Sequence, residues 1–321
     1  MTVKSTAPHG PATAGPAKRC KQFWLGSPRT RAAVLALFAS AILSFIDNFV
    51  GSVAEEAAIW QFQVLRTLIA IPLLVVIGSI SGQSLRPVNF HKTALRSLVV
   101  SAGLLIYFAT LGILPVAQAG AGLFSAPIWV LLFSIVLFSA HITLFQTLAI
   151  AAGFAGVLML LQPDLQSLSL LSLLPLVAGV CYGLGMLLTP HLCGEESPVV
   201  LAAGVFAVIG MISVAILIYF SLFPVETPNF LTGGWVAPSG RLIWLTFFQA
   251  VGAVIAVTCI AEAYRIGVPS HVAVVEYSFL IFASLWAFML WGLETNLLAM
   301  LGIGLILVSG TALTIGQSQD N

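Results

Sequence analysis

Apolar runs long enough to cross a bilayer recur along this chain with little charge between them, and that pattern leaves few folds open. The hydrocarbon core of a bilayer is about 30 Å thick and a helix rises about 1.5 Å per residue, so a span needs about 20 apolar residues. Runs of that size fall roughly at 32–52, 59–80, 95–113, 116–138, 144–161, 169–189, 198–222, 242–264, 269–291 and 296–315. In lipid every backbone N–H and C=O must be paired within its own segment, which makes each run a helix. Only 7% of the 321 residues are charged, against about 25% in soluble domains, so a water-exposed surface cannot be built. The expectation is an all-α integral membrane protein of ten transmembrane helices. A net charge of +1 gives no field for nucleic acid.

Basic residues set the expected orientation. Lys4, Lys18, Arg19, Lys21, Arg29 and Arg31 lie in the amino-terminal tail, Arg86, Lys92 and Arg96 in the second connection, and Arg265 in the eighth. These ten share one side, Arg241 alone takes the other, and Arg66 falls inside a span. The bias predicts a multi-pass protein of the cell inner membrane with both termini cytoplasmic. Residues 1–31 are expected to form a disordered cytoplasmic tail and 317–321 a short carboxy-terminal one. Cys20, Cys181, Cys193 and Cys259 lack paired spacing and are read as free thiols. The longest outer loop, about 223–241, holds Trp235 and several Pro and Gly residues. It reads as a segment resting on the interface, or else as a lid.

The chain also resembles itself. Leu114–Pro115–Val116 matches Val268–Pro269–Ser270 at an offset of 154, which also pairs Ala109 with Ala263, Ala119 with Ala273 and Gly156 with Gly310. The repeats are expected at 32–162 and 169–316, five spans each. An odd number of spans inserts the second repeat the other way up, and carriers built so bind substrate near the midplane between the repeats.

Several stretches resemble the ten-helix EamA-type branch of the drug/metabolite transporter (DMT) superfamily. Trp60–Gln61–Phe62–Gln63–Val64–Leu65–Arg66 resembles the start of that family's second helix. Leu114–Pro115–Val116–Ala117–Gln118–Ala119, running to Ala126–Pro127, resembles its fourth. Gly153 to Gly156 resembles the end of the first repeat, and Glu276–Tyr277, Trp291–Gly292–Leu293–Glu294 and Gly302–Gly310 the end of the second. One departure stands out: Ser139–Ala140–His141 replaces the usual Gly-Glu pair after the fourth helix, and Leu293 separates Gly292 from Glu294. The resemblance implies an EamA transporter of small metabolites such as amino acids, nucleosides or sugars, working as an exporter or as an uptake carrier like those for S-adenosylmethionine.

Charge inside a membrane is costly and marks functional candidates. Asp47, Arg66, Glu262 and Glu276 qualify. Asp47 and Arg66 fall at comparable depth in a helical hairpin, where they either pair with each other or leave Arg66 to fork onto a substrate carboxylate. Glu276 stands alone and suits a substrate amine, a coupling proton, or a hydrogen bond from Tyr182 or Gln249. Glu262 and Arg265, three residues apart, suit an interfacial pair. Pro72, Pro127 and Pro175 are expected to kink spans around a cavity. The candidate substrate-binding set is Arg66, Glu276, Asp47, Gln63, Tyr107, Tyr182, Tyr277 and Trp286, with no catalytic residue, metal or cofactor. Hydrolase, metalloprotease and phosphate-loop motifs are missing from the sequence. The expected function is a secondary, alternating-access transporter of small organic metabolites, acting as a monomer in the bilayer. The alternative is an integral membrane enzyme acting on lipid-linked substrates.

Overall fold

A computed structural model describes residues 27–110, 114, 116–141, 143–164 and 170–316, and all regular structure among them is helical. Of the tail expected over 1–31, residues 28–31 instead form the first turn of a helix capped by Ser27, while 1–26 and the expected carboxy-terminal tail 317–321 lie outside the described residues. The first span joins α1 (Pro28–Asp47) to the short α2 (Val50–Ala54). Then come α3 (Ile59–Ser81), α4 (Phe90–Thr110), α5 (Val116–Leu123), α6 (Ala126–Phe138) and α7 (Leu144–Leu161). The second half holds α8 (Leu174–Cys193), α9 (Pro198–Leu222), α10 (Gly240–Ile266), α11 (Pro269–Glu276), α12 (Ser278–Trp291) and α13 (Leu297–Gly316). Among the described residues nine helical stretches are long and apolar enough to cross a membrane, and Leu297–Ala312 is a shorter apolar helix. Ten spans result.

Polar side chains set the helix starts. The hydroxyls of Ser27, Ser197 and Ser239 accept the N–H of Thr30, Val200 and Leu242, and Thr143 with Gln146 forms a reciprocal capping box. Asn89 caps α4 by accepting from Lys92 N–H, so that helix begins at Phe90 rather than near 95. Arg96 is thereby carried off the polar connection, where the charge pattern placed it, into the bundle at 1% exposure. The helix after Leu173, by contrast, runs about one turn later than expected, over Leu174–Cys193. Of the three in-span prolines, only Pro72 lies inside a helix; Pro127 and Pro175 occupy first turns. Left-handed residues end four helices: Gly82 (φ 65°), Gly292 (φ 66°), Ser139 (φ 49°) and Gln162 (φ 45°). Ser139 thus stands where the second repeat has Gly292, at the left-handed stop that closes each fourth span.

The helix pairings have the symmetry expected of two inverted repeats. α4 packs on α8 and α1 on α10, two pairings that exchange when the repeats are exchanged. α3 packs on α9 and α7 on α13, pairings that map onto themselves. Glycine makes some crossings close: a Cβ on Gly156 would lie 2.7 Å from the Gly302 carbonyl oxygen, and one on Gly302 would lie 2.6 Å from that of Gly156. Large apolar side chains such as Ile80, Leu144 and Leu297 point outward, as a lipid-facing surface requires.

Candidate functional site

The fourth span of each repeat is broken. α5 stops at Leu123 and α6 starts at Ala126; α11 stops at Glu276 and α12 starts at Ser278. The two breaks occupy corresponding repeat positions, and both line one central cavity, through Leu123, Phe124, Ala126 and Pro127 on one side and Ala273, Glu276 and Phe279 on the other. At the first break the Ser125 hydroxyl donates to the Gly122 carbonyl (2.6 Å) and accepts from Trp129 Nε1 (3.0 Å), so freed backbone groups are satisfied locally. The Gly179-x-x-x-Gly183 face of α8 lies directly on this break, since added Cβ atoms would stand 2.5 Å from the Gly122 oxygen and 2.8 Å from the Ala126 oxygen.

The cavity measures about 140 Å³ and carries four ionisable side chains, Asp47, Arg66, Arg96 and Glu276. They sit at two levels. Counting helical rise, Arg66 and Asp47 lie about 10 Å from the end where α3 begins, and Arg96 and Glu276 about 10 Å from the end where α1 begins. Glu276 accepts a hydrogen bond from the Tyr182 hydroxyl (2.7 Å) and a second from the Tyr264 hydroxyl. Arg96 is held by Thr189 Oγ1 (2.9 Å), the Leu201 carbonyl (3.2 Å) and Met186 Sδ (3.8 Å). Arg66 is less committed. Its Nη1 donates to Gln63 Oε1 at 3.4 Å, its guanidinium lies 5.6 Å from the Phe206 ring and 5.8 Å from that of Phe62, and its Nε is buried without a hydrogen-bond partner. No contact within ion-pair distance joins Arg66 to Asp47; the two face the same space. Tyr107, Phe108, Phe124, Tyr182, Phe206 and Phe279 supply aromatic walls.

Of the eight nominated residues, Asp47, Gln63, Arg66, Tyr107, Tyr182 and Glu276 meet on this cavity and Tyr277 and Trp286 do not. Tyr277, fully buried, turns toward α7 and α13, where its ring fills the space beside Gly153. Trp286 donates to the Ala41 carbonyl (3.2 Å) and packs edge-on against Phe45. Arg96, which the charge pattern assigned to a connection, and Tyr264, which was not among the eight nominated residues, join the site, Arg96 on the cavity wall and Tyr264 through its hydrogen bond to Glu276.

The cavity continues into a vestibule of about 660 Å³ that shares Asp47, Tyr107, Phe108 and Phe279 with it and is lined further by Asn48, Gly51, Asn229, Phe230 and Ser284. The 223–239 loop is sewn to the start of α3. Gln61 exchanges two hydrogen bonds with Val236 (2.7 and 2.9 Å), Trp60 Nε1 donates to the Leu231 carbonyl (2.6 Å), and Ile59 N–H donates to the Phe230 carbonyl (2.9 Å). Trp235 is half exposed. At the other end Arg265 grips Glu262 (2.6 Å) and the Gly194 carbonyl (3.0 Å).

Comparison with known proteins agrees with this architecture. The EamA-like transporter family matches residues 30–162. A protein of Brucella anthropi named riboflavin transporter is 26% identical over half of this chain and 55% of its own length. Proteins of the same name from Rhizobium johnstonii and Vibrio cholerae are each 24% identical, over 72% and 85% of this chain and 72% and 90% of their own lengths. A solved crystal structure superposes with a TM-score of 0.75 at 17% identity, covering 89% of this chain and 97% of that one, which shows the fold alone. Residues 30–162 thus match the EamA-like transporter family, the relatives that the chain resembles are named transporters, and the apolar helices make the chain a multi-pass membrane protein.

Proposed function

We propose that this transporter is a secondary, alternating-access carrier that moves a small organic metabolite through the central cavity. The observation that carries this reading is the meeting of two broken helices, one per repeat, on a cavity with acid and base at two levels. Interrupted helices at corresponding positions of two inverted repeats are where such carriers bind their cargo. Arg66, the least committed base, would take an anionic or carbonyl group, and Glu276 would take a cationic group or a coupling proton. The aromatic walls would cover a flat apolar body. Lined by two acids and two bases, the cavity is balanced in formal charge and suits a zwitterionic or neutral polar solute, such as an amino acid or a related metabolite.

The relatives named riboflavin transporters add a flavin to the candidates, and the six aromatic residues of the wall favour testing one first. Orientation is part of the proposal. With Arg96 inside the bundle, nine basic residues still lie on the side of the amino-terminal tail against Arg241 on the other. This supports cytoplasmic termini in a cell inner membrane and an outward-facing vestibule. One cavity enclosed within one chain supports a monomeric unit.

The test is counterflow in proteoliposomes with labelled riboflavin, amino acids, nucleosides and S-adenosylmethionine. Saturable counterflow of one solute is the expected result and names the class. A conductance that does not saturate and shows no counter-exchange would replace the carrier with a channel.

A further inference from the structure

At the end where α1 begins, Glu196 in the turn between α8 and α9 grips the start of α4. Its carboxylate accepts the N–H of Val88 (2.9 Å), the N–H of Asn89 (2.8 Å) and the hydroxyl of Thr93 (2.8 Å). The adjacent Ser197 donates to the Ser84 carbonyl (2.7 Å). Every one of these bonds joins the second repeat to the first. At the opposite end Glu56, in the turn between α2 and α3, grips the start of α10. It accepts from the hydroxyl of Ser239 and lies 3.4 Å from Arg241 Nη1. Nearby, Gln61 bonds the Val236 backbone. These bonds join the first repeat to the second.

The two grips are images of each other. α3 and α9 are the second helices of their repeats, beginning at Ile59 and Pro198; α4 and α10 are the third, beginning at Phe90 and Gly240. Glu56 and Glu196 precede their second helices by three and two residues. Asn89 and Ser239, each the residue before its third helix, are both N-caps. Both ends set a carboxylate at the positive dipole end of a helix that belongs to the other repeat: Glu196 accepts backbone N–H groups and a hydroxyl there, whereas Glu56 meets the Ser239 hydroxyl and the Arg241 guanidinium. The present states differ. Glu196 is 3% exposed and holds three donors at the end that closes beneath the cavity. Glu56 is more exposed, on the end that opens into the vestibule.

We infer that Glu196 and Glu56 are paired gate residues, symmetry-related clasps of which one is fully seated while the other end of the carrier is open. Opening the closed end requires the start of α4 to leave Glu196, and closing the vestibule seats Glu56 fully on the start of α10. Neither carboxylate touches the central cavity, so both act on transport through helix position. The inference rests on the alternating-access reading above.

Spin-label pairs read the two ends separately. One pair replaces His91 and Glu195 at the clasped end; the other replaces Ala54 and Ala237 at the vestibule end. Both sit in protein whose native cysteines are serines and which still transports. Glu196→Gln should enrich the long-distance component of the His91/Glu195 pair by about tenfold, since a charge-assisted bond is worth roughly one decade in an equilibrium. Glu56→Gln should leave that pair short and lengthen the Ala54/Ala237 pair. Glu196→Gln should shorten the Ala54/Ala237 pair that Glu56→Gln lengthens, and these opposite signs separate gating from damage to the fold. If either glutamine variant fails to purify as a folded monodisperse protein, Thr93→Val or Arg241→Gln, which removes one partner of the same clasp, takes its place with the same expected sign. Distances unchanged in both variants, or shifted in the same direction at both ends, would overturn the clasps. If transported solute moves neither pair in the unmutated background, the alternating-access reading fails instead.

Discussion

Gly122→Ala tests how a residue without a side chain sets the geometry of the site. Gly122 lies in the last turn of α5 against the first turn of α8. A Cβ there would stand 2.1 Å from Pro175 Cβ, 2.5 Å from the Pro175 carbonyl carbon and 2.8 Å from Leu176 N. Carbon atoms pack at about 3.5–4.0 Å, so α8 must retreat by about 1.5 Å. The obstructing atoms are backbone and a proline ring, which no rotamer change can clear. Overpacking of this kind costs about 1–3 kcal/mol. The larger consequence is for Tyr182, two turns further along α8, which donates to Glu276 at 2.7 Å. The same retreat stretches that bond to about 4 Å, beyond hydrogen-bonding range. Losing a bond to a charged acceptor removes about 1.5–3 kcal/mol, so a transport rate that depends on Glu276 falls at least about tenfold. Initial counterflow rates and thermal unfolding in detergent measure both effects. Gly120→Ala is the control, because its Cβ meets only the flexible end of Leu161, at 3.3 Å. A Gly122→Ala protein with the melting temperature and rate of the Gly120→Ala protein would refute the reasoning.

Two further perturbations follow from local geometry. Ser139→Gly relieves a left-handed residue (φ 49°) outside the cavity lining and should stabilise the protein by about 0.5–1 kcal/mol, seen as a raised melting temperature without loss of transport. Gln61→Ala removes both bonds to Val236 from a fully buried position, should destabilise by about 1–3 kcal/mol, and should make the 223–239 loop more sensitive to limited proteolysis.

The spans were legible because lipid imposes a single local rule, which the run 198–222 obeys without a charged residue and the run 59–80 with Arg66 alone. The break at Tyr277 was not, since no Pro or Gly marks it and only the tertiary pairing of Glu276 with Tyr182 and Tyr264 shows what the interrupted helix presents. Arg96 was assigned to a connection because a basic residue at the edge of an apolar run reads as interfacial. The Asn89 cap, and the partners Thr189 and Leu201 from the other repeat, draw it inside. Arg66 and Asp47 were placed at one depth from sequence, but depth does not give separation, and they face each other across space rather than pair. Tyr277 and Trp286 show the limit from the other side. Their spans were evident, yet the helix face each presents depends on small partners, Gly153 for one and the α1 backbone at Ala41 for the other. Ser139 shows a family departure with a local meaning, because the left-handed stop is kept without the glycine.

The measurement that tests the central claim most directly is counterflow of the carried solute by Arg66→Ala and Glu276→Gln proteins, at matched incorporation into proteoliposomes. If the cavity between the broken helices is the transport path, Arg66→Ala raises the half-saturating concentration and Glu276→Gln depresses the maximal rate, while both proteins remain folded. Wild-type kinetics in both would place the path elsewhere and contradict the account.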